Sequence, residues 1–283
     1  MGKSVSKMIT ASIVLYKTDV KQIETVIGCA NRSCIERIYV IDNSPTCALQ
    51  SMVLSLSEKI EYIFGQGNVG YGAGHNIGIK RAIEINSKYH VVLNPDIQFD
   101  EDVIVALEKF ADAHEDVGML MPNVKYPNGM QQFLCKLLPT PLDMFGRRLL
   151  PKNIMKKRNE LYEMRSTGYN AIRNVPCLSG CFMFLTVDVL KKVGLFDDSF
   201  FMYFEDFDLI RRIHRVAKTV FYPKVTIIHD HATEHRTNKR LLKISIESAI
   251  RYFNKWGWVF DRERKLWNRG AFDECHVVRD ETC

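Results

Sequence analysis

The chain has 283 residues, 46% hydrophobic and 25% charged. That suits one large α/β domain or two modest ones and excludes a disordered or collagenous chain. No apolar run approaches the roughly 20 residues that cross a bilayer as a helix. The net charge of +6 is concentrated in two places: residues 136–165 hold eight Lys/Arg against three Asp/Glu, and residues 236–269 hold ten against three. Such segments point to an anionic partner at two sites, not to a generally basic surface.

Met1 to Lys7 lead into a strand-length apolar run, Ile9 to Leu15. The run is too short for a signal peptide, so a cytosolic chain is expected. Met1-Gly2 with Ser6 opens like a myristoylation signal. Val20 to Ala30 has helical apolar spacing, and Ile35 to Ile41 reads as a second strand ending in Asp42-Asn43-Ser44-Pro45. Ile60 to Phe64 is a third strand. Six glycines follow from Gly65 to Gly78, the last two inside a helix predicted over 73–85. Those glycines match neither a Walker loop nor a dinucleotide fingerprint after the first strand. They allow either a phosphate cradle or close backbone packing.

The run Val91-Val92-Leu93 ends abruptly in Asn94-Pro95-Asp96. Proline cannot donate to a ladder, so the strand stops there. Asp96 is left at a strand's carboxyl end, where open α/β sheets bind ligands. Residues 102–114 predict a helix and Val117 to Met121 a strand. Residues 126–174 form a long excursion with a helix from Met155 to Ser166, the kind of segment that serves as a lid or binding loop. Val175 to Leu185 reads as a strand interrupted by Ser179-Gly180, and Val187 to Val193 as a short helix capped by Gly194. Alternating strands and helices imply a doubly wound, mostly parallel sheet.

Aromatic residues then enclose Glu205 and Asp206. Clustered carboxylates in apolar surroundings have raised or divergent pKa values, as a general base requires; an acidic helix start is the plainer alternative. Val220 to Ile228 is a last strand, placed at a sheet edge by Pro223. It runs into His229, His231 and His235, of which one joins Asp96 as a metal ligand and the others suit a polar loop. The eight cysteines include no C-x-x-C pair and are expected to be reduced. From Ile246 to Arg269 all three tryptophans alternate with basic residues. That pattern suits an anionic membrane surface, or an amphipathic helix docked on the main domain.

Taken together, Ala11 to Tyr16, Val40 to Ser44, Gly67 to Gly78, Leu93 to Asp96, Leu178 to Met183, Val193 to Leu209 and Ile227 to His229 occur in the order of a known family. The chain resembles family 2 glycosyltransferases of the GT-A (nucleotide-diphospho-sugar transferase) fold, and within them the bacterial rhamnosyltransferase-like enzymes. The resemblance implies a GT-A domain over 1–235, with a nucleotide half to about 125 and an acceptor half from 126, and a helical extension over 236–283. It implies that Ser12, Val14, Tyr16, Asp42, Asn43, Asn68, Gly70, Asn76, Asn94 and Asp96 bind the nucleotide and donor. It further implies Mg²⁺ or Mn²⁺ on Asp96 and His229, Asp206 as general base with Glu205 as second choice, and an acceptor site bordered by Gly180, Cys181 and Tyr203. Asn94 takes the first place of the family's D-x-D motif, where it is a neutral ligand or none.

The activity so implied is inverting transfer from a nucleotide sugar, dTDP-rhamnose or a UDP-sugar, to a saccharide acceptor on a polyprenyl diphosphate. Such an enzyme works in O-antigen or capsule assembly at the cytoplasmic face of the membrane. A non-catalytic carbohydrate- or membrane-binding module and a nucleic-acid binder are the competing classes. Asp96 and Asp206 argue against the first, and the carboxylate-ended strands against the second.

Overall fold

The computed structural model describes residues 8–146, 150–230, 239–273 and 277–278. The myristoylation-like opening and the pair His231 and His235 lie outside them.

Strands β1 (Ile9–Leu15), β2 (Arg37–Asp42), β3 (Ile60–Phe64) and β4 (Tyr89–Leu93) run parallel in the order β3-β2-β1-β4. The sheet continues through β8 (Phe182–Thr186), β6 (Val117–Lys125) and β9 (Lys218–His229). Two short strands, β5 (Ile97–Gln98) and β7 (Arg173–Asn174), pair with the far side of β9. Among the described strands only β5, β7 and β8 oppose the common direction, so the expected mostly parallel sheet is present.

Alternation along β1 sorts the two faces. Ile9, Ala11, Ile13 and Leu15 join a core with α1 (Val20–Arg32), α2 (Gln50–Ser55) and α4 (Asp102–Ala113). The opposite face packs on α3 (Tyr71–Glu84), α6 (Val187–Val193) and α7 (Glu205–His214). There Thr10 and Ser12 are polar and fully buried. Two histidines satisfy them: Ser12 Oγ lies 2.7 Å from His75 Nδ1 and 2.8 Å from His90 Nε2, and Thr10 Oγ1 lies 2.8 Å from His90 Nδ1. Burial holds both imidazoles neutral, lowering His90 to about 3 and His75 well below its usual range.

The long excursion contains a π-helical turn, Leu142–Gly146, and α5 (Lys152–Tyr162), which ends earlier than the predicted Ser166. Residues 175–181 are irregular, not strand. Gly180 there is drawn to the start of α7 in place of a sheet neighbour. The predicted edge strand is a correction. β9 lies inside the sheet, along β6, and the register jumps between Pro122–Tyr222 and Asn123–Thr226. Pro223 falls in that bulge and between the reaches of β7 and β5, where no ladder requires its N–H.

The tail docks on the domain through α8 (Lys239–Trp256) and α9 (Arg262–Gly270). Tyr252 and Phe253 are buried against Phe200 and Phe204. Arg211 on α7 is 1% exposed, pairs with both Asp261 oxygens at 2.6 and 2.7 Å, and stacks 4.2 Å from the Trp256 ring. Most of the tail's aromatic content therefore serves packing. No described helix is long and apolar enough to cross a membrane. Replacing Arg211 with Met leaves the buried Asp261 carboxylate only the Arg264 amide at 3.0 Å and that residue's guanidinium at 3.9 Å, so denaturant unfolding should show a loss of about 3 kcal/mol.

Candidate active site

Because β1, β2 and β4 are parallel neighbours, their carboxyl ends share one edge. That edge carries Tyr16 and Lys17, then Asp42 to Ser44, then Asn94 to Asp96. It is also where the strand order turns, on either side of β1.

At the β2 end, Asp42 is buried and accepts from the Ser44 amide and the Tyr62 hydroxyl at 2.8 and 2.5 Å. Asn43 donates to Gly70 O at 3.0 Å, and Gln66 donates to Asp42 O and Asn43 Oδ1. Tyr16 is exposed beside them, and Val14 is half-buried under α3. Asn68 Oδ1 accepts the Gly70 amide at 3.3 Å.

From Gly70 onward the glycine-rich segment is closely packed, whereas Gly65 and Gly67 lie in open left-handed turns. Gly70 has φ +93° and a Cβ there would sit 2.2 Å from Phe201 O. Cβ atoms on Gly74 and Gly78 would come within 2.8 Å of Val14 and 2.7 Å of Ser12. These glycines let α3 lie on β1 and β2.

Tyr71, the first residue of α3, donates its hydroxyl to Gly180 O at 2.7 Å and sits 2.9 Å from Asn94 Oδ1. Burial first, then the Glu205 charge, keep that phenol protonated well above its usual range. The side chain of Asn94 is thereby engaged by Tyr71, while the Asn94 backbone N–H donates to Cys181 O at 2.9 Å. Two expected donor contacts are corrected by their surroundings. Ser12 is inside the core between two histidines. Asn76 is buried, donates to Phe196 O and Asp198 Oδ1, and accepts the Phe196 amide, so its amide ties α3 to the 196–198 loop.

Asp96 and His229 meet through pairing that the sequence does not display. β5 is antiparallel to β9, with Ile97 opposite His229, and the Asp230 amide donates to Asp96 O at 3.0 Å. Asp96 Oδ1 is buried, accepts no hydrogen bond, and lies 3.4 Å from His229 Nε2. His229 Nδ1 is 3.0 Å from Gln132 Oε1, which fixes the ring. Burial opposes charging of the imidazole, but Cys181 and Asp96 outweigh it and raise it to about 10. Without a cation the two groups therefore stand as an imidazolium facing a carboxylate; a divalent cation would take the place of the Nε2 proton between them, with a diphosphate and water completing the shell. Among the described residues no group of three protein ligands forms, so Asp96 and His229 would act with the substrate.

Across Gly180 stands Asp206, partly exposed in the first turn of α7. Its oxygens accept the Gly180 amide at 3.0 Å and the Phe207 amide at 2.9 Å. A Cβ at Gly180 would be 2.9 Å from the Asp206 Cβ, so only glycine permits this approach. Burial raises the Asp206 pKa, against the charge of Lys136 and the two amides. Lys136, which sequence reading missed, also lies 5.4 Å over the Phe207 ring; its place in a basic segment was the only signal. Glu205 is buried against Gly72, and its Oε2 has no partner. Burial and then Asp206 raise it well above the carboxylate range, so Glu205 keeps the proton of the pair. Tyr203 and Phe204, both at φ 69°, form a left-handed turn that aims Asp206 at Gly180.

Residues 14–253 match the profile of Glycosyltransferase like family 2. The chain belongs to that family. It is 27% identical over 208 residues to the low-salt glycan hexosyltransferase Agl10 of Haloferax volcanii, covering 72% of this chain and only 60% of that protein. It is 25% identical to the N-acetylglucosaminyl-diphospho-decaprenol L-rhamnosyltransferase of Mycobacterium tuberculosis, over 71% of this chain and 68% of the other. With the rhamnosyltransferase WbbL of Escherichia coli K12 it shares 24%, over 86% and 88%. Two solved structures share the fold. The Pyrobaculum calidifontis mannosyltransferase with GDP-Man and Mn²⁺ aligns at TM-score 0.58 and 14% identity, over 90% of this chain and 67% of that one. S. aureus TarS with UDP-GlcNAc aligns at 0.56 and 14%, over 95% and 74%.

The Glu205 carboxyl gives a pH prediction. Its pKa is raised on folding, so its stabilising contribution is full below the unfolded value and declines as pH rises toward the folded one. Unfolding midpoints of Glu205→Gln should therefore fall less between pH 5 and pH 8 than those of the parent chain, as read by urea titration at each pH.

Proposed function

We propose that the protein is an inverting glycosyltransferase that uses a nucleotide sugar and a divalent cation. The observation that carries this reading is the pairing of two carboxylates of different character. Asp96 has a buried oxygen with no donor beside His229, and Asp206 is held by two amides. The first suits a cation, the second a proton.

Asp42 and Asn43 at the β2 end hold the nucleoside, with Tyr16 and Asn68 near it. Asp96 and His229 would hold the cation, which would supply positive charge against the departing diphosphate. Asp206 takes the proton of the acceptor hydroxyl as that oxygen bonds to the anomeric carbon. The bond from that carbon to the diphosphate breaks, and its electron pair leaves with the nucleoside diphosphate. One in-line displacement inverts the centre and needs no protein nucleophile. The Gly180 and Phe207 amides keep the carboxylate aimed, and protonated Glu205 adds no second charge. Gly180, Cys181 and Tyr203 border the acceptor.

Rhamnose from dTDP-rhamnose is the favoured donor, supported by two relatives named as rhamnosyltransferases. A polyprenyl-diphosphate-linked saccharide is the favoured acceptor, supported by the decaprenol-linked substrate in the mycobacterial name. The setting is surface-polysaccharide assembly, O-antigen or capsule, on the cytoplasmic side of the membrane. A UDP-hexose or UDP-N-acetylhexosamine donor is the alternative, favoured by the hexosyltransferase relative and by UDP-GlcNAc in TarS.

Thermal-shift measurements against dTDP-rhamnose, UDP-GlcNAc and GDP-mannose separate the donors, since the bound one raises apparent stability by mass action. The shift should need Mn²⁺ or Mg²⁺ and be lost in Asp96→Ala. Asp206→Asn should lower transfer about 10²- to 10⁴-fold and leave the donor's thermal shift intact. Near-normal turnover of that variant would sink the assignment of the base.

A further inference from the structure

The turn between α8 and α9 exposes what a soluble protein ordinarily hides. Val259 is 75% and Phe260 95% exposed, with Trp258 at 38%. The turn is nonetheless built rigidly. Gly257 has φ +102°, and its amide donates to Phe253 O at 2.8 Å. Arg264 is buried and donates to four backbone carbonyls, those of Pro139 and Gly257 at 3.2 Å, Trp258 at 3.0 Å and Val259 at 3.3 Å. Trp258 stacks on Phe145 with centroids 6.2 Å apart and donates its indole N–H to Asn254. A buried guanidinium spent on the carbonyls of an exposed apolar turn fixes the shape in which Val259 and Phe260 are presented.

The exposed charge on α9 itself has one sign, although an exposed acid, Asp273, follows the helix. On α9, Arg262, Lys265, Leu266 and Arg269 are all exposed and recur at helical spacing, so they share a face. The acidic residues of this region, Asp261 and Glu263, are turned inward to Arg211 and Arg215. The outward face is thus three cations around a leucine, next to a projecting Val-Phe pair.

We propose that the Trp258–Phe260 turn and the outer face of α9 form a docking site for an anionic lipid bilayer. Val259 and Phe260 insert into the headgroup–acyl boundary, while Arg262, Lys265 and Arg269 meet lipid phosphates. The few exposed apolar side chains fall far short of the roughly 800 Å² per partner that a stable protein interface buries, but they suffice for shallow insertion. Phe253 joins the turn to the catalytic side: its ring is 5.2 Å from Trp258 and 6.5 Å from Phe204, two residues before Asp206. The docked turn is thus two aromatic contacts from the segment that carries Asp206, and its use in reaching a membrane-borne acceptor rests on the lipid-linked acceptor proposed above.

The test is co-sedimentation of the full chain with phosphatidylcholine vesicles, with and without phosphatidylglycerol. Binding is expected only with the anionic lipid and should weaken with salt. Val259→Ser with Phe260→Ser should lower partitioning about tenfold or more. Arg262→Gln and Lys265→Gln should each lower it about fivefold. Both sets should leave the sugar-nucleotide thermal shift unchanged, which separates lost docking from lost folding. Failure of the parent chain to sediment with anionic vesicles overturns the proposal. So does equal partitioning of the double-serine variant, or a parent dimer in sedimentation velocity that this variant dissolves. Intact vesicle binding without transfer to any lipid-linked acceptor would instead refute the acceptor reading and leave the docking site standing.

Discussion

The site depends on how closely α3 approaches its neighbours. At Gly70 the backbone touches Phe201 O at a distance no side chain would tolerate, and the next amide, Tyr71, donates to that same oxygen at 2.9 Å. One residue pair therefore joins the carboxyl end of β2, through Asn43, to the loop that precedes Asp206. The Tyr71 hydroxyl extends the link to Gly180 and Asn94. Larger residues at Gly70, Gly74 or Gly78 would lift the helix off β1 and open every one of these contacts.

The second constraint is strain held in place by the tail. Tyr203 and Phe204 both adopt left-handed backbone, at a cost of roughly 1–2 kcal/mol each. Phe204 is buried against Tyr252 and Phe253 of α8, Ser248 donates to Met202 O, and Lys255 pairs with Asp197. Asp208, fully buried, receives Arg212, Lys255 and the Trp256 indole. The tail is thus part of what holds the Phe204–Asp208 segment in place, and its tryptophans divide between that work and the exposed turn.

The two acidic stations differ because their surroundings differ. Glu205 and Asp206 are adjacent in the chain, yet one has no hydrogen-bond donor on its buried oxygen and the other has two amides and a nearby lysine. The proton of the pair resides on Glu205 for that reason. Asp96 keeps its oxygen without a donor because the Asn94–Ile97 turn and the β5–β9 pairing present it to His229 and to no amide.

The sequence alone determined the parallel run from β1 to β4. Its apolar runs, turn residues and helical spacing are local signals, and β1, β3 and α6 fall where those signals place them. It also determined which strand ends carry carboxylates. Tertiary structure decided the rest. That Ser12 and Asn76 serve packing, that β9 is interior despite Pro223, and that Asp96 faces His229 all follow from pairings between residues far apart in the chain. The glycines likewise read ambiguously until the strand beneath α3 was in place. Hydrogen-bond partners and burial select among roles that one residue type allows, and both are properties of the packed chain.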